Sequence, residues 1–247
     1  MLRKSWMMAR TEMRMVFKSR QVKSIPGMLV GMSFLMAILF AWIIFSFPIP
    51  DPFFFNIMMS STMGIVIIMM PVMLPVMIAA DSIVGEKERN TLIPLLATPL
   101  TDSELLIGKL LTAFVPGMIV AYANLALTIA IVNVMALFLN PAFLWAWPLA
   151  VPNALVQGIV MPPLFSILAV WMMVIVSGRV SKVYEAYQIG GVLVMPSMLF
   201  SFSPVLSGTG IDWMIFAAGV MILCIVDYGL YRLAVNLFNR DKLITRL

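Results

Sequence analysis

Residues 81–109, DSIVGEKERNTLIPLLATPLTDSELLIGK, decide how the rest of this 247-residue chain is read. The stretch sets Glu86, Lys87, Glu88 and Arg89 side by side, yet it lies between two long apolar runs. Over the whole chain 62% of residues are hydrophobic and only 11% charged, where soluble domains carry about a quarter. That balance predicts an integral membrane protein rather than a soluble domain with a large core. Residues 81–109 are then the one long polar island in a chain built for lipid.

Working outward from it, a membrane-crossing helix needs about 20 mostly apolar residues. Six runs satisfy this, over residues 25–47, 54–80, 105–139, 151–177, 183–206 and 213–234. The fifth is interrupted towards its end by Pro196, Pro204, Gly208 and Gly210. The predicted fold class is therefore all-α integral membrane, a single transmembrane domain of six helices covering residues 1–247.

The 16 basic residues fix the orientation. Arg3, Lys4, Arg10, Arg14, Lys18, Arg20 and Lys23 precede the first run, and Lys87, Arg89 and Lys109 fall between the second and third. Arg179 and Lys182 fall between the fourth and fifth, and Arg232, Arg240, Lys242 and Arg246 close the chain. With six spans all four groups lie on one side, which the bias of Lys and Arg towards the inner face makes cytoplasmic. Both termini are expected inside, in a plasma-membrane protein with several spans. The net charge of +5 therefore reports topology, and no nucleic-acid partner is expected.

The first 24 residues do not read as a cleaved signal, which has a short basic start followed by an apolar core. Leu2, Trp6, Ala9, Met13, Val16 and Phe17 recur at helical spacing, and Arg10, Arg14 and Lys18 form a basic stripe. The pattern predicts an amphipathic helix in the inner membrane interface, basic side towards anionic lipid headgroups. The outer connections are short and aromatic, as expected at headgroup level: FPIPDPFFF from Phe47 and NPAFLWAWP from Asn140. Pro71, Pro75, Pro116, Pro162, Pro163 and Pro196 lie inside spans, where neighbouring helices can satisfy the carbonyl each one frees.

Within 81–109, Asn90 or Thr91 caps a predicted short apolar helix over 92–97, with Pro94 near its start and Pro99 ending it. Thr101-Asp-Ser-Glu104 then reads as a capping box that starts a helix running through Gly108 and Lys109 into the third span. Leu92, Ile93, Leu95 and Leu96 present an apolar anchor and Glu86 to Arg89 a charged rim, the usual make-up of an interface.

These residues resemble the cytoplasmic loop of type-2 ABC transporter permeases, such as the sodium-extrusion and ABC-exporter permease subunits. The resemblance rests on Asp81, Glu86, Lys87, Glu88, Thr91, Leu92, Leu95, Leu96, Pro99, Leu100, Thr101, Glu104, Leu105, Gly108 and Lys109. Asn90 stands where the family usually has glycine, and Asn tolerates unusual backbone angles. Glu12 with Phe17-Lys-Ser-Arg20 is similar to the family's entry helix, and Phe238-Asn-Arg240-Asp241 to its closing motif. The resemblance implies that 81–109 is a coupling segment, docking on a separate ATPase through Glu86, Lys87, Glu88, Arg89, Thr91, Leu92, Leu95, Leu96 and Pro99. It also implies a pathway formed as a homodimer, or as a heterodimer with a second permease. ATP and Mg would then be held by the partner subunit and no cofactor by this chain.

Other chemistries find little support. Gly108-Lys109 is followed by Leu110 and preceded by Ser103 where a phosphate loop needs its first glycine, so this chain holds no P-loop. Histidine is absent, which removes the commonest general base and metal ligand together, and Cys224 alone makes no intrachain disulfide. The 24 methionines, scattered through every span, read as flexible packing rather than metal ligands. An intramembrane enzyme lacks its acidic or histidine clusters, and a non-catalytic membrane scaffold or sensor is the remaining alternative to a permease. Polar residues inside spans are costly and name the pathway candidates: Asn124, Thr128 and Asn133, Asn153 and Gln157, and Asp227. Asp227, close in sequence to Arg232, is expected to form an ion pair with it or to reach for the inner interface.

Overall fold

A computed structural model of the chain describes residues 2–16, 20–46, 73–89, 101–139, 152–177, 179–180, 182–201 and 213–237. Its elements are α1 (Leu2–Val16), α2 (Arg20–Ser46), α3 (73–88), α4 (Asp102–Leu139), α5 (Pro152–Ser177), α6 (Val183–Ser201) and α7 (Trp213–Leu237). No strand occurs among the described residues. α4, α5 and α7 are long and apolar enough to cross a membrane, and α2 carries a shorter apolar helix over Gly27–Ile43. The described residues are thus all-helical, and the chain has the character of a membrane protein with several crossings.

Length separates α4 from the others. Its 38 residues extend about 57 Å at 1.5 Å per residue, nearly twice the roughly 30 Å hydrocarbon layer. Its charged residues, Asp102, Glu104 and Lys109, all lie at its start.

α3 is the element the others surround. From Leu74 to Gly85 every side chain except Met77 is buried. Leu74, Ile78, Ala79, Ile83 and Val84 of α3 share one core with Leu106 and Ala113 of α4, Val170, Trp171 and Met173 of α5, Ala186 of α6 and Ala234 of α7. Trp171 and Tyr231 tie α5 to α7, ring centres 5.2 Å apart and inclined at 59°. In lipid such contacts gain little from water exclusion, so close packing carries the association and small residues mark its tightest points. Gly117 is one: a Cβ there would collide with the ring of Pro75, so α3 and α4 approach to backbone distance.

Proline breaks are mended by neighbours, as expected for helices in lipid. Pro163 has no N–H for the Ile159 carbonyl four residues earlier. The Tyr122 hydroxyl of α4 donates to that carbonyl instead, at 3.4 Å. Met28, Leu35, Leu39 and Trp42 on α2, and Met221, Ile222, Ile225 and Leu233 on α7, are exposed. An apolar surface this extensive is at home against lipid or another helix, not water.

The expected second span, 54–80, lies outside the described residues up to 72, and its continuation does not stop where the charges begin. α3 stays helical through Asp81 and Ser82 to Glu88, where Ser82 meets Glu12 of α1 and Asp81 meets Arg89 two turns further on.

Candidate functional site: the charged junction of three helices

Where α3 leaves the core it meets the start of α4 and the flank of α1. The first turn of α4 is built by the expected capping box. The Thr101 amide donates to Glu104 Oε2 at 3.1 Å, and the Glu104 amide donates to Thr101 Oγ1 at 3.3 Å. Two amides without intrahelical partners are thereby satisfied. The bond from the Thr101 amide holds the Glu104 carboxyl below the usual carboxylate range, with further help from the Thr101 hydroxyl and the positive charge of Lys4.

Five residues further along lies Lys109, the largest fully buried side chain among the described residues, at 1% exposure. Its ammonium donates to Glu86 Oε2 at 2.6 Å and to the Ser82 carbonyl at 2.7 Å, with Ser82 Oγ at 3.4 Å. Glu12 Oε1, from α1, lies 3.7 Å away. The other oxygen, Glu12 Oε2, accepts from Ser82 Oγ at 3.3 Å and from Thr112 Oγ1 at 3.2 Å. Helical spacing accounts for the convergence. Ser82 and Glu86 are four apart on α3, Lys109 and Thr112 three apart on α4, and each pair shares a face.

α1 is seated by the same logic. Ser5, Ala9 and Glu12 are its buried stripe, with Lys4, Trp6, Met7, Arg10 and Arg14 exposed. The Ser5 hydroxyl donates to the Glu104 carbonyl at 3.0 Å. Gly108 permits this close seating, since a Cβ there would fall on the Met8 sulfur and near the Ser5 carbonyl.

Among the described residues the cluster holds two carboxylates, Glu12 and Glu86, against the ammonium of Lys109. Burial pushes the Glu86 carboxyl above its usual range. The charges of Glu12 and Asp81 push the same way, and Lys109 opposes them. Buried ion pairs of this kind seldom beat an apolar core in net stability, but they fix which faces must meet.

The remaining charges of the 86–89 run are also engaged within the chain. Lys87 Nζ donates to the Val180 carbonyl at 3.3 Å, and Glu88 Oε2 accepts from the Val183 amide at 3.0 Å. Val183 opens α6, so Glu88 caps a helix whose first amides lack intrahelical partners. Arg89, mostly exposed, reaches back two turns to the buried Asp81 at 3.0 Å. Of the expected coupling residues, Glu86 therefore joins α3 to α4, Lys87 and Glu88 join it to the α5–α6 turn and the start of α6, and Arg89 pairs back onto α3 itself. Thr91, Leu92, Leu95, Leu96 and Pro99 lie outside the described residues.

Three of the pathway candidates, Asn124, Thr128 and Asn133, lie along α4. Asn124 and Thr128 are buried on α4, where the Thr128 hydroxyl donates to the Asn124 carbonyl at 2.8 Å. Asn133 Nδ2 donates to the Ile129 carbonyl at 2.8 Å, so both bonds stay within the helix. Asn153 and Gln157 sit near the start of α5, and their side chains are outside the described residues. The expected Asp227–Arg232 ion pair is not formed. Five residues apart on a helix, the two side chains point about 140° away from each other. Arg232 Nε instead donates to the Tyr228 hydroxyl at 3.1 Å, four residues back, and its guanidinium lies 5.5 Å from that ring's centre. Asp227 is buried, and its Oδ1 has no hydrogen-bond partner among the described residues.

Ser5, Glu12, Ser82, Lys109 and Thr112 were not among the sequence-derived site residues. Glu12 did carry a signal: it is the single acid in an otherwise basic α1, placed on the stripe with Ser5 and Ala9. No protein-family model matches this chain, and neither does any curated protein.

Proposed function

We propose that this protein is the membrane-spanning permease subunit of an ATP-driven ABC exporter, with six spans, both termini cytoplasmic and residence in the plasma membrane. Two copies, or this chain and a second permease, form the pathway between them. A separate ATPase subunit, holding ATP and Mg, docks on residues 81–109 and drives the cycle. The cargo class favoured by spans with few deep charges is hydrophobic or amphipathic.

The observation that carries this reading is the anchorage of the permease-like stretch. Its start is the end of α3, the most enclosed helix, and its finish is the capped start of α4, the longest. A push on residues 90–100 would reach the bundle through both helices at once, which is what a drive segment requires.

Affinity capture of the tagged full-length protein from its native membrane tests the reading. The parent should retain a soluble ATP-hydrolysing subunit, and Leu95→Arg with Leu96→Arg should release it. A parent that retains no ATPase, or a double variant that still holds one, points instead to a membrane scaffold or sensor.

A further inference from the structure

We infer that Glu12, Lys109 and Glu86 form a latch that fastens the amphipathic helix α1 to the 81–109 segment, with Lys109 as its positioning residue. The inference rests on the permease reading for its purpose, since it makes α1 part of the body that moves when the segment is driven.

Three observations carry it. Lys109 is the only described side chain that holds α3 by direct bonds, to Glu86 and the Ser82 carbonyl, while also facing a charge on α1, Glu12. Ser82 and Thr112 then place one hydroxyl from α3 and one from α4 on the same Glu12 oxygen. Finally, α1 has a second fastening to α4 through Ser5 and the close approach at Gly108. A helix that only floated in the headgroup layer would need none of this. Its acid would be better placed in water, given the cost of burying a carboxylate.

The arrangement has a mechanical consequence. Separating α1 from α3 and α4 would take the Glu12 carboxylate away from the Lys109 ammonium and from the hydroxyls of Ser82 and Thr112, so the three helices part only by giving up these contacts together. The exposed side of α1, with Lys4, Arg10 and Arg14, is then carried along with the segment. The exposed Trp6 travels with it.

The test uses the full-length protein in lipid nanodiscs, Cys224→Ser, with spin labels at Arg10→Cys on α1 and Lys182→Cys in the α5–α6 turn. A single narrow distance distribution is expected in the parent and in Lys109→Arg. Lys109→Met should broaden it and add a second population, and Thr112→Val, which removes one hydroxyl and no charge, should broaden it less. An unchanged distribution in Lys109→Met overturns the latch, whatever the protein transports. A second pair, Arg10→Cys with Ile225→Cys on α7, follows movement in the complex with the captured ATPase. A non-hydrolysable ATP analogue should shift this distance in the parent and in Lys109→Arg. In Lys109→Met it should not, although the ATPase stays bound. An equal shift in Lys109→Met also overturns the inference, because α1 would then move without its latch. Failure to capture any ATPase counts against the permease reading alone, and the first pair still decides the latch.

Discussion

Replacing Lys109 with methionine keeps the volume and removes the charge, and the cost can be worked from its contacts. The substitution deletes two short bonds, at 2.6 Å to Glu86 and 2.7 Å to the Ser82 carbonyl. Bonds to charged groups contribute about 1.5–3 kcal/mol each, so their loss amounts to about 3–6 kcal/mol. Removing one member of a buried ion pair costs about 3–5 kcal/mol by a separate route, because the abandoned charge stays buried. The estimates agree near 4 kcal/mol. Glu86 keeps some access to solvent and can be neutralised by a proton, which places the expected value towards the lower end. Changing Glu86 to Gln together with Lys109→Met should recover part of the loss, since the stranded carboxylate is then gone. Unfolding of the purified protein in mixed micelles by a denaturing detergent measures these differences. A Lys109→Met variant within about 1 kcal/mol of the parent would mean that Lys109 is not a buried and committed charge.

Other expectations follow from the same contacts. Because the folded Glu86 carboxyl is raised, its contribution to stability is complete below the ordinary value of 4.5 and is lost as pH rises through the folded value. Glu86→Gln should therefore flatten the parent's decline in detergent-unfolding stability above that pH, and a parallel decline in both proteins would contradict this. Glu104 has the opposite sign: its stabilising effect is present above 4.5 and fades as pH falls through its lowered folded value, a dependence that Glu104→Gln should remove. Thr101→Ala deletes the capping hydroxyl and should cost about 1 kcal/mol by the same measurement. Gly117→Ala drives a methyl into the rigid Pro75 ring and should cost about 1–3 kcal/mol, whereas Gly31→Ala, which meets nothing within 4 Å, should be nearly neutral. Asp227→Asn and Arg232→Ala should be additive to within about 0.5 kcal/mol in a double-mutant cycle, and a larger coupling would restore the ion pair that the helix geometry rules out.

Local signals were legible in the sequence where local physics decides the outcome. The Thr101–Glu104 box depends on residues three apart, and both of its bonds are present. Hydropathy placed α4, α5 and α7, the described helices long and apolar enough to cross a membrane, within a few residues of their ends, because a long apolar run is itself the signal. The rest needed three dimensions. Charge at Asp81 looked like the end of a helix, yet Arg89 meets that carboxylate from two turns away and the helix continues. Glu12 and Thr112 are 100 positions apart and meet only because α1 lies along α4. Asp227 and Arg232 erred the other way, close along the chain but on different sides of α7. Proximity in sequence is a contact only when the helical angle agrees.

Photo-crosslinking from the 81–109 segment shows whether it receives force from an ATPase. A photoreactive phenylalanine analogue at Leu95 of the full-length protein, activated in intact membranes, should yield one adduct with a soluble subunit, identified by mass spectrometry and carrying a phosphate-binding loop. The same probe at Ile225 on α7 should not. If Leu95 captures only membrane proteins or nothing, the segment is not a docking site and the permease reading falls.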